Sequence, residues 1–510
     1  MPPPFHPPGA PPPPPGKGPA LTAPELAVLG ICGLDLILEP WALGTMHVPS
    51  QIGALILALA GMVAGLWPRP VLPPRDRPWA RLLGFPVFWG GLALFAYVTV
   101  QAFNPAWRYI SDGQSWWLVP VSHLPSLPTG VEAPFERSNP WRALVVWATP
   151  WLLGCSLWCG LHRRLSFRRL FGAIVIAGSL LALLGLFQRL SAADRILWTY
   201  RPANDAQFMA TFIYRNHAGA YLALVLSAAL GLATWHGRRW QRRLEGPAAT
   251  VGFSFAAAVI GTGVIFTESR MAITLMALPL LAISVGVALK ARADGAYQAG
   301  RRWLVAGIPV LALLAIAIVS FESGDVRQRF SSLAAHPAET LGFREVARHA
   351  AEEMLADRWV FGWGAGCFRY GFPLYAQRYP GIYFSASHQV KYWEHVHDDW
   401  VEFPLELGLV GVIPIAAGLA FALWRLARVR ACLSPFSLCA TAGCLATLAH
   451  AWVDFVFQNP AVLALWVVLL VGAARWAELD TSMERRRPAG VFHHPGDSSP
   501  DRLGTEIRGG

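Results

Sequence analysis

Long apolar runs parted by short polar connections set the pattern of this chain. Stretches near residues 25–45, 50–67, 81–103, 141–162, 169–189, 217–236, 247–267, 270–290, 303–320, 404–424, 434–456 and 459–476 have the length, about 17 to 25 residues, at which an α-helix crosses a bilayer. The apolar residues run continuously instead of alternating, which predicts helical spans and not the strands of a barrel. The expected fold class is therefore all-α: a polytopic membrane protein with about twelve transmembrane helices. Residues 25–320 are expected to carry helices one to nine and residues 404–476 helices ten to twelve. Between them, 321–403 is a large outer loop containing short helices, too long for a mere connector.

The polar remainder orients the bundle. Arg-rich connections at 68–81, 162–169, 236–243, 290–302, 425–430 and the 484–488 tail all fall on one side when the chain is threaded from a cytoplasmic N-terminus, as the positive-inside rule requires. That places both termini in the cytoplasm and the 104–140, 190–216 and 321–403 segments outside. Residues 1–24, Pro-rich and without an apolar core, are expected to form a disordered cytoplasmic leader, and 477–510 a disordered cytoplasmic tail. Composition agrees: 54% of residues are hydrophobic and 14% charged, more apolar than a water-soluble surface allows. The net charge of +11 is spread over short connections and not gathered on one basic face, so nucleic acid is not an expected partner. Of seven cysteines only Cys367 falls in an outer loop, which argues against a structural disulfide.

Candidate chemistry gathers at 395–411, "HVHDDWVEFPLELGLVG", where two histidines and four carboxylates crowd the start of an apolar run. Three readings compete: a metal site, an ion pathway, or a catalytic base. "HVHDD" lacks the one-turn histidine separation of a zinc protease helix, which leaves only a scattered set of His388, His395 and His397. The ion-pathway reading rests on Asp35, Glu39, Glu268 and Asp454 near the outer half of the spans, without the internal symmetry of a carrier. As a base, a neutral His397 can take a proton from a hydroxyl near pH 7, with Asp398, Asp399, Glu402 or Glu406 available to orient its ring. Asp399 and Glu402 also have the spacing of a helix N-cap and its capping-box partner. His395 is either a substrate contact or a satisfied loop histidine. Earlier in the loop, Gly362, Gly364 and Gly366 predict a tight turn, and the aromatics after them a packed lid or a sugar-stacking surface.

Four stretches, "FIYRNHAGAYLALVL" (212–226), "FTESRMAITLM" (266–276), "RWVFGWGAGCFRYGFPLY" (358–375) and the 395–411 segment, together resemble the O-antigen ligase family of bacterial membrane glycosyltransferases. The family's His, small polar residue, nine residues, Gly, two residues and small residue are met here by His397, Asp398, Gly408 and Gly411; Asp398 departs from the usual Asn, Ser or Gln. "HAWVDFVFQNPA" (450–461) is similar to a further family segment. The resemblance implies transfer of a glycan from an undecaprenyl-diphosphate carrier to a hydroxyl acceptor, a lipid A core or other surface polysaccharide, at the periplasmic face of the inner membrane, with no cofactor and no metal. Polymerisation on the same donor, or transport of a small anion or polysaccharide intermediate, are the alternatives. His397, Arg270 and Arg215 are the implied catalytic residues, the arginines meeting diphosphate charge. His395, Asn216, Asp398, Glu406 and Asp454 are the expected substrate contacts.

Overall fold

The computed structural model describes residues 21–69, 72–202, 208–293, 337–384 and 389–485. The chain opens with α1 (Ala23–Trp41), α2 (Val48–Leu66), the short α3 (Pro78–Leu83) and α4 (Pro86–Phe103), then β1 (Pro105–Ser111), β2 (Trp116–Pro120) and β3 (Gly130–Glu132). Five spans follow as α5 (Pro140–Gly160), α6 (Arg164–Leu190), α7 (Arg215–Gln241), α8 (Ala248–Phe266), and an apolar segment divided into α9 (Arg270–Leu275) and α10 (Ala277–Ala293). The long loop contributes α11 (Pro337–Asp357) and three single turns, α12 (Phe368–Gly371), α13 (Pro373–Ala376) and α14 (Pro380–Tyr383); α15 (Asp399–Arg428), α16 (Pro435–His450) and α17 (Pro460–Arg485) complete the chain. Prolines stand in the first turn of α1 to α5 and of α16, where a missing N–H breaks no helical bond.

This is an all-α polytopic membrane protein, and eight of the described helices are long and apolar enough to cross a bilayer. The expected span at 303–320 lies outside the described residues. α1, which carries Asp35 and Glu39, and the shorter α16 supply two further apolar helices at expected positions. The outward faces carry large apolar residues, Ile56, Leu59 and Val63 on α2 and Ile176, Leu180 and Phe187 on α6, the surface that lipid and not water would cover. α17 continues to Arg485, nine residues past the expected end at Trp476.

α7 runs through the centre, packed on α6, α8 and α16, and its small residues permit the close approach that membrane bundles use in place of a hydrophobic driving force. Among the described residues, apolar runs do not predict the three-stranded sheet in the 104–140 connection, order β2-β1-β3, with β1 antiparallel to β2 and parallel to β3. Trp107, Tyr109, Trp116 and Leu118 share one face through strand alternation and pack on Tyr370, Cys367 and Val131. The aromatics within and after the triple glycine thus form a packed core: Trp363, Phe368, Phe372 and Tyr375 are buried with Ala347, Ala350, Ala351 and Met354 of α11.

Candidate active site

α15 begins as the chain leaves the loop, and it breaks at Gly408, whose φ of +63° and ψ of 179° are open to glycine but not to other residues. A Cβ there would lie 2.3 Å from the Val360 carbonyl oxygen. The break frees backbone groups that cannot stay unpaired within a membrane. Residues 359–364 run alongside and take them up: Trp363 N–H donates to Leu405 C=O, Gly364 N–H to Glu406 C=O, and Leu409 N–H to Trp359 C=O, each at 2.8–2.9 Å. Gln101 donates to Phe361 and Glu406 carbonyls and accepts from Ala365 N–H. Tyr97 hydroxyl reaches Phe361 and Leu407 carbonyls at 2.7 Å, and its ring lies where a Cβ on Gly411 would fall, 2.7 Å away. The two motif glycines therefore serve the junction of a broken helix and the loop that braces it.

At the head of α15 the carboxylates divide differently from the expected capping box. Asp398, not Asp399, is the cap, accepting Trp400 N–H at 3.0 Å. Asp399 turns to Phe457 N–H at 2.9 Å. Glu402 accepts from His395 Nδ1 at 2.6 Å and from Val396 N–H at 2.9 Å. Glu406, expected at the substrate, is buried with its oxygens on the Gly366 and Phe368 N–H groups at 2.8 and 3.1 Å, so it pins the triple-glycine turn to α15.

None of these four carboxylates orients His397. That contact is made by Asp454, from the connection between α16 and α17, whose Oδ1 accepts from His397 Nδ1 at 3.4 Å. Asp454 is only 1% exposed and is held from several sides: Phe455 N–H donates to Oδ1 at 2.9 Å, while Asn216 amide, Tyr214 hydroxyl and the Arg344 guanidinium gather at Oδ2. Arg344 also donates to Val453 C=O at 2.9 Å and to the Tyr214 hydroxyl at 3.4 Å. Burial by itself raises the Asp454 carboxyl, but the His397 hydrogen bond and the Arg344 charge outweigh it and hold the group well below the usual carboxylate range. Burial also lowers the proton affinity of His397 by more than Asp454 restores. An ionised carboxylate is acceptor-only, so the neutral imidazole keeps its proton on Nδ1 and leaves the Nε2 lone pair open. His397 itself sits at φ +64°, a left-handed backbone uncommon outside glycine. Its ring is fixed edge-on to Phe455, Trp393 and Tyr214.

The expected arginines open two neighbouring elements. Arg215 is the first residue of α7 and pairs with Glu268 Oε2 at 3.3 Å; Glu268 Oε1 takes Arg189 from the end of α6 at 3.0 Å. Arg270 is the first residue of α9, just after the Ser269 cap, and α7 packs against this turn at Gly219. Arg189 and Arg215 thus meet on Glu268, two residues before Arg270 in the chain. Asn216 ties this cluster to Asp454. Arg344, Tyr214, Glu268 and Arg189 stand outside the expected catalytic set: Arg344 sits in a polar helix that reads as solvated surface, and Tyr214 beside Arg215 carries no spacing signal of its own. His388 lies outside the described residues, and among the described residues no group of three His, Cys, Asp or Glu side chains is placed to hold a metal ion.

Residues 255–416 match the family model described as O-antigen ligase, and this match supports assigning the chain to that family and a glycan-transfer role of ligase or polymerase type. It includes Arg270, Arg344 and His397, while Tyr214, Arg215 and Asp454 lie outside it. No curated protein matches the chain.

Proposed function

We propose, from the match of residues 255–416 to the O-antigen ligase family, that this protein transfers a glycan from an undecaprenyl-diphosphate carrier to a hydroxyl acceptor at the periplasmic face of the bacterial inner membrane. The observation that carries the reading is the His397–Asp454 pair, a neutral imidazole with an ionised carboxylate on one nitrogen and a lone pair on the other. His397 Nε2 takes the acceptor hydroxyl proton as that oxygen attacks the anomeric carbon, and Asp454 stabilises the imidazolium that forms. As the bond from the sugar to the diphosphate breaks, negative charge grows on the leaving group. Arg215 and Arg270 meet it in a site where water is scarce and charge interactions are strong. The acceptor is a lipid A core or another surface polysaccharide. No metal takes part.

The test is the purified protein in nanodiscs, supplied with a defined undecaprenyl-diphosphate glycan and candidate acceptors and read by product mass. A single glycan joined to the acceptor marks ligation, while a ladder of repeat units on the carrier marks polymerisation. A donor that stays intact with every acceptor sinks the proposal. Full turnover in EDTA is expected; loss restored by one particular divalent metal would return the scattered histidines to consideration.

A further inference from the structure

At the end of the bundle opposite His397, three arginines from different elements converge on the C-terminus of α5. That helix starts beside the triple-glycine turn, with Ser138 and Asn139 against Gly366, and its 21 residues carry it roughly 30 Å away. Arg69, after α2, donates Nη1 to Gly160 C=O at 2.7 Å. Arg81, in α3, donates Nη1 to Leu161 C=O at 3.3 Å and contacts the His162 ring. Arg475, in α17, lies 5.3 Å over the Trp158 ring.

Of the nearby carboxylates, Asp76 is exposed in the turn before α3, and two others are engaged. Glu478 is shared by Arg475 and Arg425, and Glu25 accepts from Ser166 Oγ and from the His162 and Arg163 N–H groups. Among the described residues neither Arg69 nor Arg81 has a carboxylate within ion-pairing distance. Arg69 is 9% exposed, yet its Nε and Nη2 are buried without an acceptor, as are Arg81 Nη2 and Arg475 Nε. A helix C-terminus carries only about half a negative charge, too little for the two guanidinium groups of Arg69 and Arg81, and buried donors left unpaired are costly. Crowded positive charge is also felt at His162, which burial and then the Arg81, Arg69 and Arg475 charges push down to about 3.

We propose that Arg69, Arg81 and Arg475 form a site for a phosphate group, separate from the active site and taking the headgroup of an anionic phospholipid. Planar guanidinium forks match phosphate oxygens, and four buried N–H donors await an acceptor. The depth fits a headgroup: Trp67 and Trp79, each two residues from one of these arginines, are 60% and 55% exposed, as tryptophans at a membrane interface are.

The experiment uses the full chain in nanodiscs of phosphatidylcholine, with and without phosphatidylglycerol, and in detergent with and without inorganic phosphate at constant ionic strength. The expected result is a higher thermal midpoint with phosphatidylglycerol, a gain lost in Arg69→Gln and Arg81→Gln but kept in Arg242→Gln, an exposed arginine that serves as charge control. A gain from inorganic phosphate alone makes free phosphate the source; no gain from either, or equal gains in wild type and both variants, overturns the site. Because Arg69 also holds the end of α5, wild-type protein gives a second reading by native mass spectrometry. Phosphatidylglycerol should be retained roughly tenfold or more over phosphatidylcholine, the scale of one charge-assisted contact, and equal retention overturns the site as well.

Discussion

His395 and His397 stand two residues apart, each on a buried carboxylate and each against the Phe455 ring, yet their surroundings push them in opposite directions. His395 stacks on Phe455 at 4.6 Å and binds Glu402 at 2.6 Å. Burial alone lowers it, but the Glu402 charge and hydrogen bond, with Glu394 and Glu406 beyond, carry its pKa above the ordinary value. His397 meets Phe455 edge-on and shares Asp454 with the Arg344 cation, so burial prevails and its pKa falls. Proximity to a carboxylate therefore does not decide a histidine's charge; the other charges on that carboxylate do. One histidine clasps loop to helix with its proton affinity raised, and the other is held by Asp454 with its proton affinity lowered.

The largest effect that tests this contrast is at His397. His397→Ala should reduce turnover by roughly 10² to 10⁴ while donor retention in a pull-down stays near wild type, and His395→Ala should cost far less turnover. Equal losses would erase the distinction drawn here. Asp454→Asn should fall in the same range, on the order of 10² or more, because an amide at 454 can donate to Nδ1 and move the ring proton onto Nε2. Arg270→Lys keeps the charge and loses the fork, and should lower turnover by about 10² together with donor affinity; normal donor binding would remove Arg270 from the phosphate role.

A smaller effect should appear in the pH profile. A base must be neutral, so activity should fall on acidification with a midpoint below about 6.5, the ordinary histidine value, since the His397 pKa is lowered. Arg344→Gln removes a cation that opposes the imidazolium, so the midpoint should move to higher pH, and Arg344→Lys should restore it. An unmoved midpoint in a folded Arg344→Gln protein would leave that arginine a purely structural part. The smallest effect concerns the clasp. Because the folded-state pKa of His395 is raised, its contribution to stability is complete below about pH 6.5 and is lost as pH rises through the raised value. Glu402→Gln should remove that pH dependence from the thermal midpoint and lower stability by roughly 1–3 kcal/mol, with turnover at neutral pH little changed.

The apolar runs by themselves determined that this is a helical membrane protein, because the cost of unpaired backbone in lipid leaves a continuous apolar stretch one stable form. The chemistry-bearing segment at 395–411 was legible too, since carboxylates and histidines crowding the start of an apolar run stand out, while the roles of Arg215 and Arg270 rest on the family resemblance. Which carboxylate serves which histidine was decided only by the tertiary structure. Four acidic side chains follow His397 within nine residues, yet its partner is 57 positions away, because a cap, a clasp and backbone amides had claimed all four. The loop strand bracing Gly408, the small sheet and Arg344 in its polar helix were likewise invisible in periodicity. They are contacts between segments distant in sequence, and local spacing carries no record of which surfaces meet.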